Sequence, residues 1–240
     1  HTPRGLAYQE QALSLADGDA FLSGAVIDGW RAKSLRGEAQ GLQSWSAQDI
    51  EMFLKTGRTD KVAAFGAMAD VVEHSTRHFT DGDIASIAAY LKQLPAASGK
   101  LAVFPAKADS TTASLRDGRY DSRGAVIYAE QCAVCHRADG QGMPRIFPAL
   151  AGNSAVFAQN PQSIIQITLE GGRMPSNDMD AMTFAMPGFK HLSDQDITDV
   201  INFIRTGWTN QAPAIGEKDV AHIREFLASK KPNIGGGKHE

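Results

Sequence analysis

Both cysteines of this chain fall in one pentapeptide, Cys132-Ala133-Val134-Cys135-His136. Cys-x-x-Cys-His is the attachment signature of a c-type haem. Two thiolates add to the haem vinyl groups, the two-residue spacer lets both reach one porphyrin edge, and the adjacent histidine offers its imidazole to the iron. A structural zinc site asks for four ligands, usually two such pairs, and there is no second pair here. A thioredoxin-like dithiol asks for a βαβ setting, whereas these flanks read as helix. The motif points to one covalently bound haem c.

A low-spin electron-transfer haem needs a sixth ligand, and methionine raises its potential. Met174, Met179, Met182 and Met186 follow the motif closely enough. Met186 is preferred, because Pro187 restrains its loop and an amphipathic helix begins shortly after, near Leu192. Met174-Pro175 shares the Met-Pro dipeptide and is the alternative. Met179 or Met182 reads as core filler. Phe147-Pro148-Ala149-Leu150 lies at the right distance to bring a carbonyl to the Nδ1–H of His136, fixing the ring and raising its basicity. Pro148 and Leu150 then border the haem pocket. Arg173 either pairs with a haem propionate or sits on a solvated loop. The other histidines (His74, His78, His191, His222 and His239) show no metal spacing.

These side chains need helices to carry them, and the pattern supplies helices twice. The residues from Ser122 to Tyr128 read as a helix leading into Cys132, with Gly124 permitting close approach of a later helix and Tyr128 near Phe203. Phe79-Thr80-Asp81-Gly82-Asp83-Ile84 opens an amphipathic run through Ile87, Tyr90 and Leu91. Leu192-Ser193-Asp194-Gln195-Asp196-Ile197 opens another through Val200, Phe203 and Ile204, an offset of 113 residues from Ile84 to Ile197. Each has a Ser or Thr N-cap with an acid three residues on. Gly57-Arg58 matches Gly172-Arg173, and Ser34-Leu35-Arg36-Gly37 matches Ala149-Leu150-Ala151-Gly152, both at an offset of 115, as from Gly57 to Gly172.

The expected fold is therefore all-α: two tandem class I cytochrome c-like domains joined by an irregular strap. Residues 1–95 form the first domain and 96–122 the strap, rich in Ala, Ser, Thr and Pro. Residues 123–210 form the domain with the intact motif, and 211–240 a tail. The tail holds one short amphipathic helix, with Val220, Ile223, Phe226 and Leu227 on one face. It then runs through Gly235-Gly236-Gly237, which reads as disordered. In the first domain the counterpart of His136 is His1, given an insertion at roughly residues 6–24, and the chain reads as starting at the histidine of a motif whose cysteines lie upstream. Met68 is the matching sulphur, while Met52 sits in a helical pattern and reads as core.

The chain has 240 residues, 42% hydrophobic and 21% charged, with a net charge of −3. That is an ordinary globular composition with no basic field for nucleic acid. No apolar run approaches the length of a membrane span. Covalent haem attachment in bacteria takes place outside the cytoplasm, so the chain reads as a mature or partial exported protein.

Three stretches together carry a family resemblance: His1-Thr2-Pro3-Arg4-Gly5, the run Ala64-Phe65-Gly66-Ala67-Met68-Ala69-Asp70-Val71-Val72-Glu73-His74-Ser75, and Phe184-Ala185-Met186-Pro187-Gly188-Phe189. From residue 1 to about Trp208 the chain resembles the cytochrome c subunit of bacterial membrane-bound dehydrogenases. These are the alcohol, gluconate, sorbitol, fructose and FAD-dependent glucose dehydrogenases. The resemblance implies a three-haem subunit passing electrons from a flavin or quinoprotein catalytic subunit, with a small subunit in some members, to ubiquinone or another membrane acceptor. The site is implied to be the periplasmic side, at the outer face of the inner membrane. By position it gives Cys132, Cys135, His136 and Met186 to the third haem, and His1 and Met68 to the second, which is retained only if upstream cysteines exist.

The chain then reads as an electron relay and not as an enzyme, cycling its iron between ferric and ferrous with both axial ligands in place. A dihaem cytochrome c peroxidase-like enzyme is the alternative, and an open iron position is what distinguishes it. Residues 1–95 without haem would serve only for docking.

Overall fold

The computed structural model describes residues 1–97, 107–180 and 182–230, and these are mostly helical. Gly235, Gly236 and Gly237, expected to be disordered, lie outside the described residues.

The first part of the chain opens with an irregular stretch and a small antiparallel hairpin, β1 (Ala25–Ile27) and β2 (Trp30–Ala32), with Ile27 opposite Trp30. Helix α1 (Ala47–Thr56) starts at a capping box, in which Ser46 Oγ accepts from the Asp49 amide at 3.0 Å and the Asp49 carboxylate accepts from the Ser46 amide at 2.8 Å. It stops at Gly57, whose φ of +73° suits a left-handed cap. Helix α2 (Ala67–His74) follows, then α3 (Asp81–Gln93), capped by Thr80 and Asp83 as its sequence predicts. Tyr90, expected on the apolar face of α3, is 51% exposed. Ile84, Ala88 and Leu91 form the buried stripe instead.

Helix α4 (Thr111–Arg116) lies inside the stretch expected to be an irregular strap. Its Leu115 packs into the large core of the later residues, and its Thr111 hydroxyl accepts from the Trp208 amide at 2.9 Å. A six-residue helix with one buried leucine leaves too short a period to be seen in sequence.

Helix α5 (Arg123–Ile127) runs through a π turn, Tyr128–Cys132, into α6 (Ala133–His136). Such single π turns re-aim the residues after them and recur at functional sites. Helix α7 (Gln162–Glu170) precedes a two-residue ladder of β3 (Gly172–Arg173) and β4 (Ala185–Met186). Helix α8 (Asp194–Thr206) crosses α5 at Gly124, where a side-chain methyl would collide with the Asp199 carbonyl oxygen and meet Phe203 Cβ at 2.8 Å. The expected close approach is thus present, and Tyr128 lies 5.4 Å from Phe203, ring to ring. Helix α9 (Glu217–Ser229) is the tail helix, with Val220 and Ile223 buried.

The later helices share one apolar core that runs from Leu115 through Ile165, Ile197, Ile201 and Trp208 to Ile223. The earlier ones build two smaller clusters. One gathers Leu42, Ile50, Ala88, Leu91 and Leu94, and the other gathers Ala64, Ala69 and Val72 with Phe53 and Met68 alongside. The two parts touch at the hairpin: the Arg31 amide donates to Ser163 Oγ at 2.8 Å, and Lys230 Nζ at the end of α9 reaches the Asp28 carbonyl.

Candidate functional site

The cavity beside the Cys-x-x-Cys-His motif is open to solvent and amounts to about 630 Å³ when the solvent in its mouth is counted. Cys132, Cys135 and His136 line it from α6 and the π turn, Ile146, Phe147 and Pro148 from the following loop, and Met174, Phe184, Met186 and Phe189 from the far segment.

His136 is 8% exposed, and its Nδ1 lies 2.9 Å from the Pro148 carbonyl oxygen. That bond fixes the tautomer with Nδ1 as donor and leaves Nε2 free to act as a ligand. Burial pulls the imidazole pKa down, with the Pro148 bond opposing, so the ring is held neutral as a metal requires. Two side chains steady the chain just past the histidine. Tyr128 Oη donates to the Arg137 carbonyl at 2.7 Å, and Trp208 Nε1 donates to the Ala138 carbonyl at 2.9 Å. Arg137 itself has φ +64° and turns the chain away from α6. Neither Tyr128 nor Trp208 had a sequence signal for this role, because their hydrogen-bond partners are backbone.

Burial and the neighbouring Cys135 push the Cys132 thiol up to about 12. Both cysteines are half-buried and unpaired. An apolar slot with two free thiols, a neutral histidine and two thioethers on its walls fits a haem: the thiols and His136 on one side, sulphur from Met186 or Met174 on the other.

The remaining expectations land in different places. Met186 is half-buried in β4, and Met174 is 4% exposed, so both border the cavity. Met179 and Met182, one of them expected as core filler, are 69% and 57% exposed, because their segment runs over the surface. Met52, also expected in the core, is 38% exposed, on the side of α1 that faces Arg145. Pro148 borders the cavity and supplies the expected carbonyl, while Leu150 packs against the large core and donates its amide to the Gly140 carbonyl at 2.7 Å. Arg173 is exposed on β3. Phe65, Gln131 and Ile146 also line the wall and had no reading as pocket residues in the sequence, since such residues carry no spacing signal.

His1 repeats the local geometry of His136. Its Nδ1 lies 2.7 Å from the Lys33 carbonyl oxygen, and Lys33 precedes Leu35 as Pro148 precedes Leu150. The Gly24 amide donates to the His1 carbonyl at 2.7 Å as the Gly142 amide does to His136 at 3.1 Å. The Leu35 amide donates to Leu22 at 2.9 Å as Leu150 does to Gly140. Leu22 and Gly140 both take positive φ, +52° and +64°. Most of the extra chain in the first part therefore lies before Leu22, and the rest is the β1–β2 hairpin, whose counterpart is the single bridge between Met143 and Phe147.

Two details depart from the sequence alignment. The residue closing α1 is Gly57 and the one closing α7 is Gly171, each with φ +73° and its amide on the carbonyl four residues back, though only Gly57 is fully left-handed, so by helix end Gly57 corresponds to Gly171 and not to Gly172. The tandem glycines at 171 and 172 concealed the one-residue shift. Arg58 and Arg173 are consequently not equivalent, one fully buried and the other exposed. Met68 lies in the first turn of α2, beyond the bridge between Arg58 and Ala63, whereas Met186 lies within the β3–β4 ladder.

Residues 122–208 match the cytochrome c family. The chain is 48% identical over 233 residues to the cytochrome c subunit of a quinone alcohol dehydrogenase from Gluconacetobacter polyoxogenes, covering 94% of this chain and 49% of that protein. It is 42% identical over 231 residues to the gluconate 2-dehydrogenase cytochrome c subunit of Pantoea cypripedii, covering 94% and 52%. It thus spans about half the length of these dehydrogenase subunits. It is also 35% identical over 113 residues to cytochrome c-552 of Thermus thermophilus, covering 45% of this chain and 86% of that protein. Covalently bound haem c comes with that family, and Cys132 and Cys135 fit one such haem. The chain, with a buried histidine aimed into a thiol-edged apolar cavity, belongs to the cytochrome c family.

Proposed function

We propose that this chain is the electron-relaying part of a dehydrogenase cytochrome subunit, taking electrons from a flavin or quinoprotein catalytic subunit and passing them to ubiquinone or another membrane acceptor. The observation that carries the reading is the His136 imidazole, oriented by the Pro148 carbonyl at 2.9 Å on the wall of a cavity that also holds both thiols and two methionines. In this reading Cys132 and Cys135 would hold the haem covalently, and His136 and Met186 would be the residues that ligate its iron. The haem supplies a one-electron iron couple. The protein's share is to keep His136 neutral and fixed, to exclude water with Phe147, Phe184 and Phe189, and to leave Val134 exposed at the edge of the motif (85%) for a partner to approach.

The chain further divides into two cytochrome c-like units on either side of residues 96–122, the first built around His1 and Met68. The matching bonds of His1 and His136 support that division. The first unit holds a second haem only where cysteines precede His1. A periplasmic position at the outer face of the inner membrane suits such a relay. Among the described residues no helix is long and apolar enough to cross a membrane.

Pyridine haemochrome analysis of the denatured chain tests the cofactor reading: one haem per chain is expected, and zero or two would sink it. Identification of co-purifying subunits by mass spectrometry tests the partner, and a complex lacking any flavin or quinone dehydrogenase would overturn that part.

A further inference from the structure

We propose that Arg58, which belongs to the first part of the chain, is a positioning residue for the haem site at His136, cross-tying the two walls of its cavity. The proposal rests on the reading that this cavity holds a haem with a methionine from the 174–186 segment as its sixth ligand.

Arg58 follows the cap of α1 and is 1% exposed. Its Nη1 donates to the Arg145 carbonyl at 3.1 Å and the Met182 carbonyl at 2.9 Å. Its Nη2 donates to the Pro175 carbonyl at 3.1 Å and Thr183 Oγ1 at 2.9 Å. One guanidinium thus grips two walls at once. Arg145 immediately precedes Ile146, Phe147 and Pro148, the wall that orients His136, while Pro175, Met182 and Thr183 lie between Met174 and Met186.

The neighbours reinforce the same tie. Arg145 forks onto Asp180, Nε to Oδ1 at 2.8 Å and Nη2 to Oδ2 at 2.7 Å. Asn177 Nδ2 donates to Asp180 Oδ2 at 3.0 Å and to the Thr56 carbonyl, at the end of α1, at 3.1 Å. Asp180 Oδ2 stands 3.8 Å from Arg58 Nε, which has no hydrogen bond, so the pair adds charge attraction alone there. Gly57 leaves room for Pro175, whose Cγ would lie 2.7 Å from any Cβ there.

The gripped segment is held mainly by polar ties to other parts of the chain, for besides Arg58, Arg145 and Asn177 the Arg77 Nη1 donates to the Ser176 carbonyl at 2.9 Å. Met179 is 69% exposed, Met182 57% and Phe184 41%, and among the described residues between Arg173 and Ala185 it forms no helix or strand. A segment with so few buried contacts samples many conformations unless polar ties select one. A planar five-donor fork is suited to that task in a way that an ammonium is not.

The consequence is a population effect. An exogenous ligand such as imidazole reaches ferric haem only when the methionine is off, so its apparent affinity rises with the methionine-off fraction. Arg58→Gln in the full haem-loaded chain is expected to weaken the near-infrared sulphur-to-iron charge-transfer band and raise imidazole affinity about tenfold, with haem content unchanged. Arg205→Gln is the control. That arginine is equally buried and tied to the Val156, Ala158 and Pro213 carbonyls, away from the segment, and its loss should lower the melting temperature with imidazole affinity unmoved. Arg58→Lys keeps the charge without the fork and is expected to fall between parent and Gln; it serves where the Gln variant does not accumulate.

A normal band and parental imidazole affinity in the Arg58 variants overturn this proposal alone. Equal shifts from Arg58 and Arg205 variants overturn it too, by reducing the effect to general destabilisation. A parent chain with no sulphur band overturns the methionine reading and this proposal together.

Discussion

His1 and His136 are held alike and supported differently. Each ring leans its Nδ1 on a carbonyl two residues before a leucine, and each carbonyl of the histidine accepts from a glycine amide. Around His136 these bonds sit on one continuous core reaching from α4 to α9, closed by Tyr128 and Trp208. Around His1 they sit beside two small clusters and a hairpin. The difference teaches that orienting a histidine is a local backbone device, which a repeated sequence copies readily, whereas a stable wall behind it needs many distant side chains.

The sharpest break of the comparison is removal of the thiols. Cys132→Ala with Cys135→Ala is expected to abolish covalent haem altogether, measured by haemochrome stoichiometry, because only this site has thiols. Retained covalent haem would refute the asymmetry.

Next comes the sulphur. Met186→Ala should lose the near-infrared charge-transfer band and lower the potential, since thioether ligation favours ferrous iron. Met174→Ala should keep the band, and the opposite pattern would transfer the role to Met174.

Gly124→Ala tests whether the large core is what distinguishes the second site. The added methyl meets the Asp199 carbonyl and Phe203, so a loss of about 1–3 kcal/mol is expected from overpacking. It should be read in the unfolding of the later helices. Hydrogen exchange provides the paired reading: amides 83–91 in α3 are expected to exchange faster than amides 196–205 in α8, and equal protection would mean that the two parts are equally well supported.

The smallest effect lies at Lys33, whose carbonyl holds His1. Its ammonium is lowered to about 8 by burial and by the nearby Arg31, and rests 4.6 Å from the Trp45 ring centre. A base depressed in the folded state makes the unfolded chain the better proton binder, so stability rises with pH from about 8 until the unfolded lysine also titrates. Between pH 7 and 9 the gain is about 1 kcal/mol. Thermal melts of Lys33→Met should show the slope gone; a slope unchanged in that variant would place its source elsewhere.

Much of the site was legible because its signals are short-range. The motif names three side chains by adjacency, Thr80 and Ser193 name helix starts, and Pro148 is fixed by its distance from His136. Even there the tertiary structure intervened. The Asp196 carboxylate, predicted to close a box on Ser193, pairs instead with Arg123 at 2.8 Å, because α5 lies against α8 and offers a cation. Tyr90, Met52, Met179 and Met182 were misplaced, since a period or a residue type says what a face is made of but not whether anything covers it.

The sequence by itself determined the haem chemistry and the helical class, and it carries the matched stretches that read as a repeat. All three follow from residue types at fixed short spacings, where the covalent chain sets the geometry. The tertiary structure decided the one-residue shift that separates Arg58 from Arg173, the burial of Arg58 between two loops, and Phe65 as a wall of a cavity belonging to residues far along the chain. Those contacts join segments separated by up to 125 positions, as from Arg58 to Thr183. Pairings at that range are selected by packing and by the need to satisfy buried charge, and no local pattern encodes them.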